Sequence, residues 1–140
     1  MIIGLGTDIV EVQRIRHHFN QVWPAQALHS SLTQRILTSL EQQELSIRLS
    51  RNAEQAILYV AGRFAAKEAF SKAIGKGVGQ FFSFLDVSVL NDEFGCPALC
   101  YSDKMADWMR LKSAKAHVSI SHEKNYAVST VILSTLTFTE

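Results

Sequence analysis

The chain has 140 residues, of which 47% are hydrophobic and 19% charged, with a net charge of +1. That length favours one domain over residues 1–140 with a real core. The near-neutral charge argues against a protein that grips nucleic acid along its surface, and no apolar run is long enough to predict a membrane span.

The opening "MIIGLGTDIVEV" lacks the basic start of a signal peptide and meets Asp8 early, so a cytoplasmic protein is expected. Alternation predicts a strand over 2–10, with Ile3, Leu5, Thr7 and Ile9 on one face and Gly4, Gly6, Asp8 and Val10 on the other. Without side chains at Gly4 and Gly6, another element can approach the backbone beside Asp8. "DIVEVQRIRHHF" then turns helical, with Asp8 as cap and Glu11 completing a capping box. Trp23-Pro24 breaks that helix. "AQALHSSLTQRILTSLEQQELSIRL" predicts two short helices that meet near Thr38-Ser39, where Thr38 and Glu41 fit a second capping box.

A long helix is expected from about Asn52 to Ile74, stopped by Gly75. At 100° per residue, Ile57, Ala61, Phe64, Ala65, Glu68 and Lys72 share one largely apolar face. The opposite side carries Gly62, Ala66, Ala69, Phe70 and Ala73, which leaves Arg63 and Lys67 as the solvent sector. A helix apolar nearly all round is central to its domain or meets another subunit. Glu68 and Lys72 on such a face read in two ways. They are an ordinary i,i+4 ion pair, or a carboxylate that needs a cation beside an amine that lines a site.

After Gly79 strands dominate. "FFSFLDVSVL" reads as a strand, and "NDEFG" turns it into "CPALCYS". Cys96 and Cys100, roughly 13 Å apart if extended, cannot pair and are expected as half-buried thiols. "DKMADWMRLKSA" is an amphipathic helix anchored by Met105, Trp108, Met109 and Leu111. "AHVSISH" and "YAVSTVILSTL" form a second hairpin through "EKN", which sets Val118, Ile120 and His122 on one face. The pattern is that of an α+β domain: helices first, antiparallel strands last, and the N-terminal strand joining the sheet. Neither "GLGTDI" nor "GKG" has the spacing of a dinucleotide or phosphate loop. Still, Gly75-Lys76-Gly77 offers exposed backbone and a second lysine near Lys72.

Three segments, "GLGTDIVEVQRI", "GRFAAKEAFSKAIGKG" and "HVSISHEKNYAVSTVIL", together resemble the holo-acyl-carrier-protein synthase family, the short bacterial 4′-phosphopantetheinyl transferases. "RILTSLEQQE" and "NDEFGCPAL" extend the likeness over nearly the whole chain. The resemblance implies an antiparallel sheet packed on a long central helix. It also implies Mg²⁺-dependent transfer of phosphopantetheine from coenzyme A to a serine of apo-acyl carrier protein, in fatty acid biosynthesis, by a homotrimer with active sites between subunits.

By the same resemblance, Asp8 and Glu68 are the metal ligands. Glu68, Lys72 and His122 are catalytic, with Lys72 near the pyrophosphate. Lys72, Gly75, Lys76, Gly77, His122 and Arg63 bind the cofactor, and Arg14 with Arg16 meets the acidic carrier protein. The general base stays open among Glu68, a water on the metal and His122. The chain departs from the family at Lys76, where threonine is usual, at Cys96, where lysine is usual, and in a longer segment from Trp23 to Ala56. The competing reading is a non-catalytic module that binds coenzyme A or carrier protein, with both carboxylates structural.

Overall fold

The computed structural model describes residues 1–22 and 26–135. The expected break at Trp23-Pro24 and the end of the last strand at Leu136 lie outside the described residues.

Strand β1 (Ile2–Glu11) leads straight into helix α1 (Val12–Val22). Asp8 is therefore no helix cap: it sits opposite Ser129 within the ladder, which continues to Glu11. The expected capping box fails because other groups satisfy the backbone there. The Val12 N–H donates to the Asn125 carbonyl at 2.8 Å.

Helix α2 (Ser31–Ile36) starts at the Ser30 cap, and α3 (Ser39–Arg51) starts at the expected capping box of Thr38 and Glu41. Helix α4 (Ala53–Ile74) also has the expected ends. The Asn52 side chain accepts from the Gln55 N–H, and Gly75 stops the helix at φ 70°, a left-handed conformation that favours glycine.

Strand β2 (Val87–Asn91) is shorter than "FFSFLDVSVL" suggests. Ser83 and Asp86 cap each other and hold Phe84–Asp86 in a 3₁₀ turn. Asp92 Oδ1 accepts from the N–H groups of Phe94 and Cys96, both at 2.8 Å, and closes the hairpin into β3 (Pro97–Tyr101). Cys96 and Cys100 are exposed rather than half-buried: Cys100 is on the solvent side of β3, and Cys96 belongs to the turn that precedes it. Helix α5 (Asp103–Leu111) buries Met105 and Met109, whereas Leu111 is 80% exposed and anchors nothing. Strands β4 (Ala114–His122) and β5 (Tyr126–Thr135) form the last hairpin.

The architecture is α+β: an antiparallel sheet ordered β1-β5-β4, a separate β2-β3 hairpin, and α4 across the sheet between them. Alanines and glycines permit that approach. A Cβ on Gly4 would lie 2.2 Å from the Ala73 carbonyl oxygen, and one on Gly6 would lie 2.0 Å from that of Ala69. Two apolar clusters meet along α4. One includes Ile15, Phe19, Ile36 and Leu45 under the helices. The other includes Phe70, Phe82, Met105 and Leu133 beside the strands.

Among the described residues, nothing covers the outer face of the sheet. Leu5 and Ile9 on β1 are 65% and 64% exposed, and their cross-strand partners Ile132 and Val128 on β5 extend the same surface.

Candidate active site

Asp8 lies on the α4 face of β1, in line with Gly4 and Gly6. Because Gly6 has no side chain, the stem of Lys72 passes close beside β1 (a Cβ on Gly6 would be 2.9 Å from that of Lys72). Lys72 Nζ donates to Asp8 Oδ1 at 3.0 Å and to the Thr7 carbonyl at 2.9 Å. Glu68, one turn earlier on α4, completes the corner. Burial raises its carboxyl above the usual range, the negative charge of Asp8 raises it further, and Lys72 acts the other way. The ammonium thus bonds one carboxylate and acts on the other through its charge, and two carboxylates near each other favour a cation beside them. Among the described residues, no group of three or more His, Cys, Asp or Glu side chains is placed to hold a metal. Two carboxylates are nonetheless enough for Mg²⁺ when phosphate oxygens and water complete the shell.

Most of the apolar residues of α4 are buried as their pattern suggests, but the solvent sector is not the expected one. Phe64 and Glu68 are half-exposed and Lys72 is exposed, so these form the open ridge, while Arg63 and Lys67 are buried. The reason is pairing. Lys67 Nζ donates to Glu41 Oε1 and to the carbonyls of Ile36 and Phe84. Burial pushes the Lys67 amine below the usual lysine range, and Glu41 pulls it back. Arg63 donates through Nε to the Val89 carbonyl at 3.1 Å and through Nη2 to Asn91 Oδ1 at 2.8 Å.

Arg63 also lies over the Tyr59 ring at 4.3 Å, and Arg48 lies 4.7 Å from the same ring. Burial raises the Tyr59 hydroxyl to about 12, so it stays neutral between the two cations. These residues border a cleft of about 610 Å³ that also involves Asn91 and Gly95. Beside it lies a pocket of about 170 Å³ lined by Arg48, Tyr59, Gly62, Arg63, Ile120 and His122. Arg63 and His122 are therefore brought together, but away from Asp8, Glu68 and Lys72. Projected down α4, the two groups point roughly 150° apart.

Gly75, Lys76 and Gly77 line a third cavity of about 360 Å³. Lys76 sits 5.5 Å from the Phe81 ring, and its carbonyl accepts from Ser71 Oγ at 2.7 Å. Arg14 is exposed on α1. Arg16 is held by the Glu54 carboxylate and by Gln13 Oε1, so its charge is largely answered within the chain.

Arg48, Tyr59 and Glu41 escaped the reading of the sequence. Tyr59 and Arg63 at i,i+4 are a visible signal for stacking. Arg48 looks like half of a surface pair with Glu44, which it does contact at 2.8 Å. Glu41 gave only its capping signal.

The model of the 4′-phosphopantetheinyl transferase superfamily matches residues 4–131. The chain belongs to that superfamily. A holo-[acyl-carrier-protein] synthase of Idiomarina loihiensis is 42% identical over 135 residues, covering 96% of this chain and 98% of that protein. One from Staphylococcus saprophyticus is 41% identical over 133 residues, covering 95% and 98%. A Bacillus anthracis holo-(acyl-carrier-protein) synthase, solved in complex with CoA (3′,5′-ADP), is 38% identical with a TM-score of 0.76, covering 96% and 98%. The Neisseria meningitidis synthase structure gives 32% and 0.79, covering 96% and 99%. Asp8, Arg63, Glu68, Lys72 and His122 all lie within the span matched to the transferase superfamily.

Proposed function

We propose that the chain is a holo-acyl-carrier-protein synthase. It moves the 4′-phosphopantetheine group of coenzyme A onto a serine of apo-acyl carrier protein and releases adenosine 3′,5′-bisphosphate, in support of fatty acid biosynthesis. One observation carries the reading. Asp8, far in sequence from Glu68 and Lys72, meets them so that Lys72 donates to Asp8 and the charge of Asp8 reaches Glu68. The names of the relatives and the coenzyme complex in the Bacillus anthracis structure support the same chemistry.

Asp8 and Glu68 would hold Mg²⁺, which when bound offsets charge on the pyrophosphate oxygens. Lys72 neutralises charge that grows on the leaving bisphosphate. The serine Oγ attacks the phosphorus that bears the pantetheine arm, and the bond from that phosphorus to the bridging oxygen breaks. The serine proton passes to a base, a role for which Glu68 and His122 are the side-chain candidates. Arg48, Arg63 and His122 bind the nucleotide end of the coenzyme in the cleft on the far side of α4, where Gly62 leaves room. Lys76 adds charge beside the phosphates. Exposed Arg14 meets the acidic carrier protein. Arg16 joins it once Glu54 releases it.

The placement of the two groups on opposite sides of α4 supports a shared active site: one copy supplies Asp8, Glu68 and Lys72, and its neighbour supplies Arg63 and His122. The open apolar sheet face around Leu5 and Ile9 is the surface that joins copies, as the homotrimer. The chain acts as one domain in the cytoplasm; among the described residues, no helix is long and apolar enough to cross a membrane.

The deciding experiment is intact-mass analysis of apo-acyl carrier protein incubated with this protein and coenzyme A, with Mg²⁺ or with chelator. A gain of one phosphopantetheine per carrier that chelator abolishes is expected. Coenzyme binding without any mass gain would leave a non-catalytic binding module.

A further inference from the structure

The Lys67–Glu41 pair has no part in the chemistry above, yet it is the most heavily bonded polar group in the core. Both side chains have 0% exposure. The ammonium donates to Glu41 Oε1, to the Ile36 carbonyl and to the Phe84 carbonyl, which uses all its protons. Glu41 Oε1 also accepts from the Thr38 N–H at 2.9 Å, and Oε2 accepts from the Val89 N–H at 2.9 Å. The end of α2, the start of α3, the turn at Phe84, strand β2 and helix α4 all meet at this point.

Stability alone does not explain such a pair. Replacing a buried ion pair with apolar side chains of similar volume is often neutral or stabilising. Position explains it better, because two short paths lead from the pair to the two halves of the site. Lys67 precedes Glu68 on a helix whose other side is set against the glycines of β1. Its bond to the Phe84 carbonyl also holds a residue whose ring packs 5.6 Å from Phe64, one turn before Glu68 on the same ridge. The second path is the backbone of Val89. Its N–H donates to Glu41, and its carbonyl accepts from Arg63 Nε.

We propose that Glu41 and Lys67 are positioning residues for the transfer reaction: one buried ion pair holds Glu68 toward Asp8 and Arg63 toward the coenzyme cleft at the same time. This rests on the function proposed above. Displacement of a reacting group by about 1 Å costs up to about a hundredfold in rate, so the pair acts on turnover without touching substrate.

The test uses full-length Glu41→Leu/Lys67→Met, which removes both charges, and Glu41→Gln, which keeps the shape of the carboxylate. Thermal unfolding, kcat, KM for coenzyme A and the calorimetric Kd for coenzyme A in chelator are measured on each. The double variant is expected to fold. Its kcat falls at least about tenfold, and metal-free coenzyme binding weakens at least about threefold. Glu41→Gln, which leaves the buried ammonium of Lys67 without its counter-charge, shifts both in the same direction. A merely structural pair would change the unfolding temperature and leave both constants alone. The proposal is overturned if a folded variant keeps kcat and coenzyme Kd at wild-type values, or if neither variant folds. Asp8→Ala, assayed in parallel, separates the failures. An inactive Asp8→Ala beside a double variant with unchanged constants removes only the positioning role. A fully active Asp8→Ala removes the site reading and this proposal together.

Discussion

The ammonium of Lys72 donates to Asp8 Oδ1 across 3.0 Å and ties the last turn of α4 to the middle of β1. The lysine side chain is 54% exposed and the carboxylate 17%, so the pair is open on the lysine side, where a phosphate can draw the amine away. As an exposed pair it contributes only about 0–1 kcal/mol to folding. Its value lies in bringing two carboxylates and a cation to one place.

Asp8→Ala and Glu68→Ala are therefore expected to keep the far-ultraviolet circular dichroism of the parent while losing transfer. The rate should fall about a hundred- to a thousandfold, the scale of removing one preorganised charge-stabilising group. Full activity in either variant, measured as carrier-protein mass gain, would remove that residue from the site.

Glu68 also makes stability depend on pH. Burial, and after it the charge of Asp8, raise its proton affinity in the folded chain. A carboxyl raised in the native state binds more protons folded than unfolded, so stability drops as pH climbs from the ordinary glutamate value through the folded one. Glu68→Gln lacks this penalty. In metal-free buffer at pH 7 it should unfold at a higher temperature than the parent, and the gap should close below the ordinary glutamate range. Added Mg²⁺ should stabilise the parent and leave Glu68→Gln unmoved. A variant less stable than the parent at every pH contradicts the account.

How far these features could be read from sequence depends on how local they are. The ends of α4 were legible because Asn52, Gly75 and a long apolar run are consecutive signals. The Thr38 capping box was legible for the same reason. The open ridge of α4 was not. Arg63 and Lys67 look like solvent residues until their partners are known, and Glu41 lies 26 positions from Lys67. Asp8 is a similar case, since Asp is favoured at helix caps and depleted in strands, and only the pairing of β1 with β5 reveals its place in the ladder. The residue roles came through family resemblance. Their division between two faces of α4 required the fold.

The close approach of α4 to β1 has its own test. In Gly6→Ala the new methyl would lie 2.0 Å from the Ala69 carbonyl oxygen and 2.6 Å from the Ala73 nitrogen, both backbone atoms of one helix. Neither atom can yield alone, so the helix must move as a body. A loss of about 3 kcal/mol, the upper end of the overpacking range, is expected in urea unfolding. Activity per folded molecule should also drop, since the same movement separates Lys72 and Glu68 from Asp8. Wild-type stability with wild-type activity would mean the contact is looser than described.

The shared site makes the sharpest prediction. Asp8→Ala removes one half of the site, and Arg48→Ala/His122→Ala removes the other. If both halves came from one chain, mixing the two inactive proteins would give nothing. If the halves come from neighbouring copies, random mixing leaves about one site in four with both halves intact, whatever the ring size. Co-refolded mixtures should therefore recover about a quarter of wild-type transfer activity. Leu5→Arg, which places a charge on the open sheet face where the side chain is 65% exposed, should abolish the recovery and reduce the mass in light scattering to a single chain. Mixtures that stay inactive, in oligomers shown to exchange chains, would confine the active site to one copy and leave the sheet face without a catalytic role.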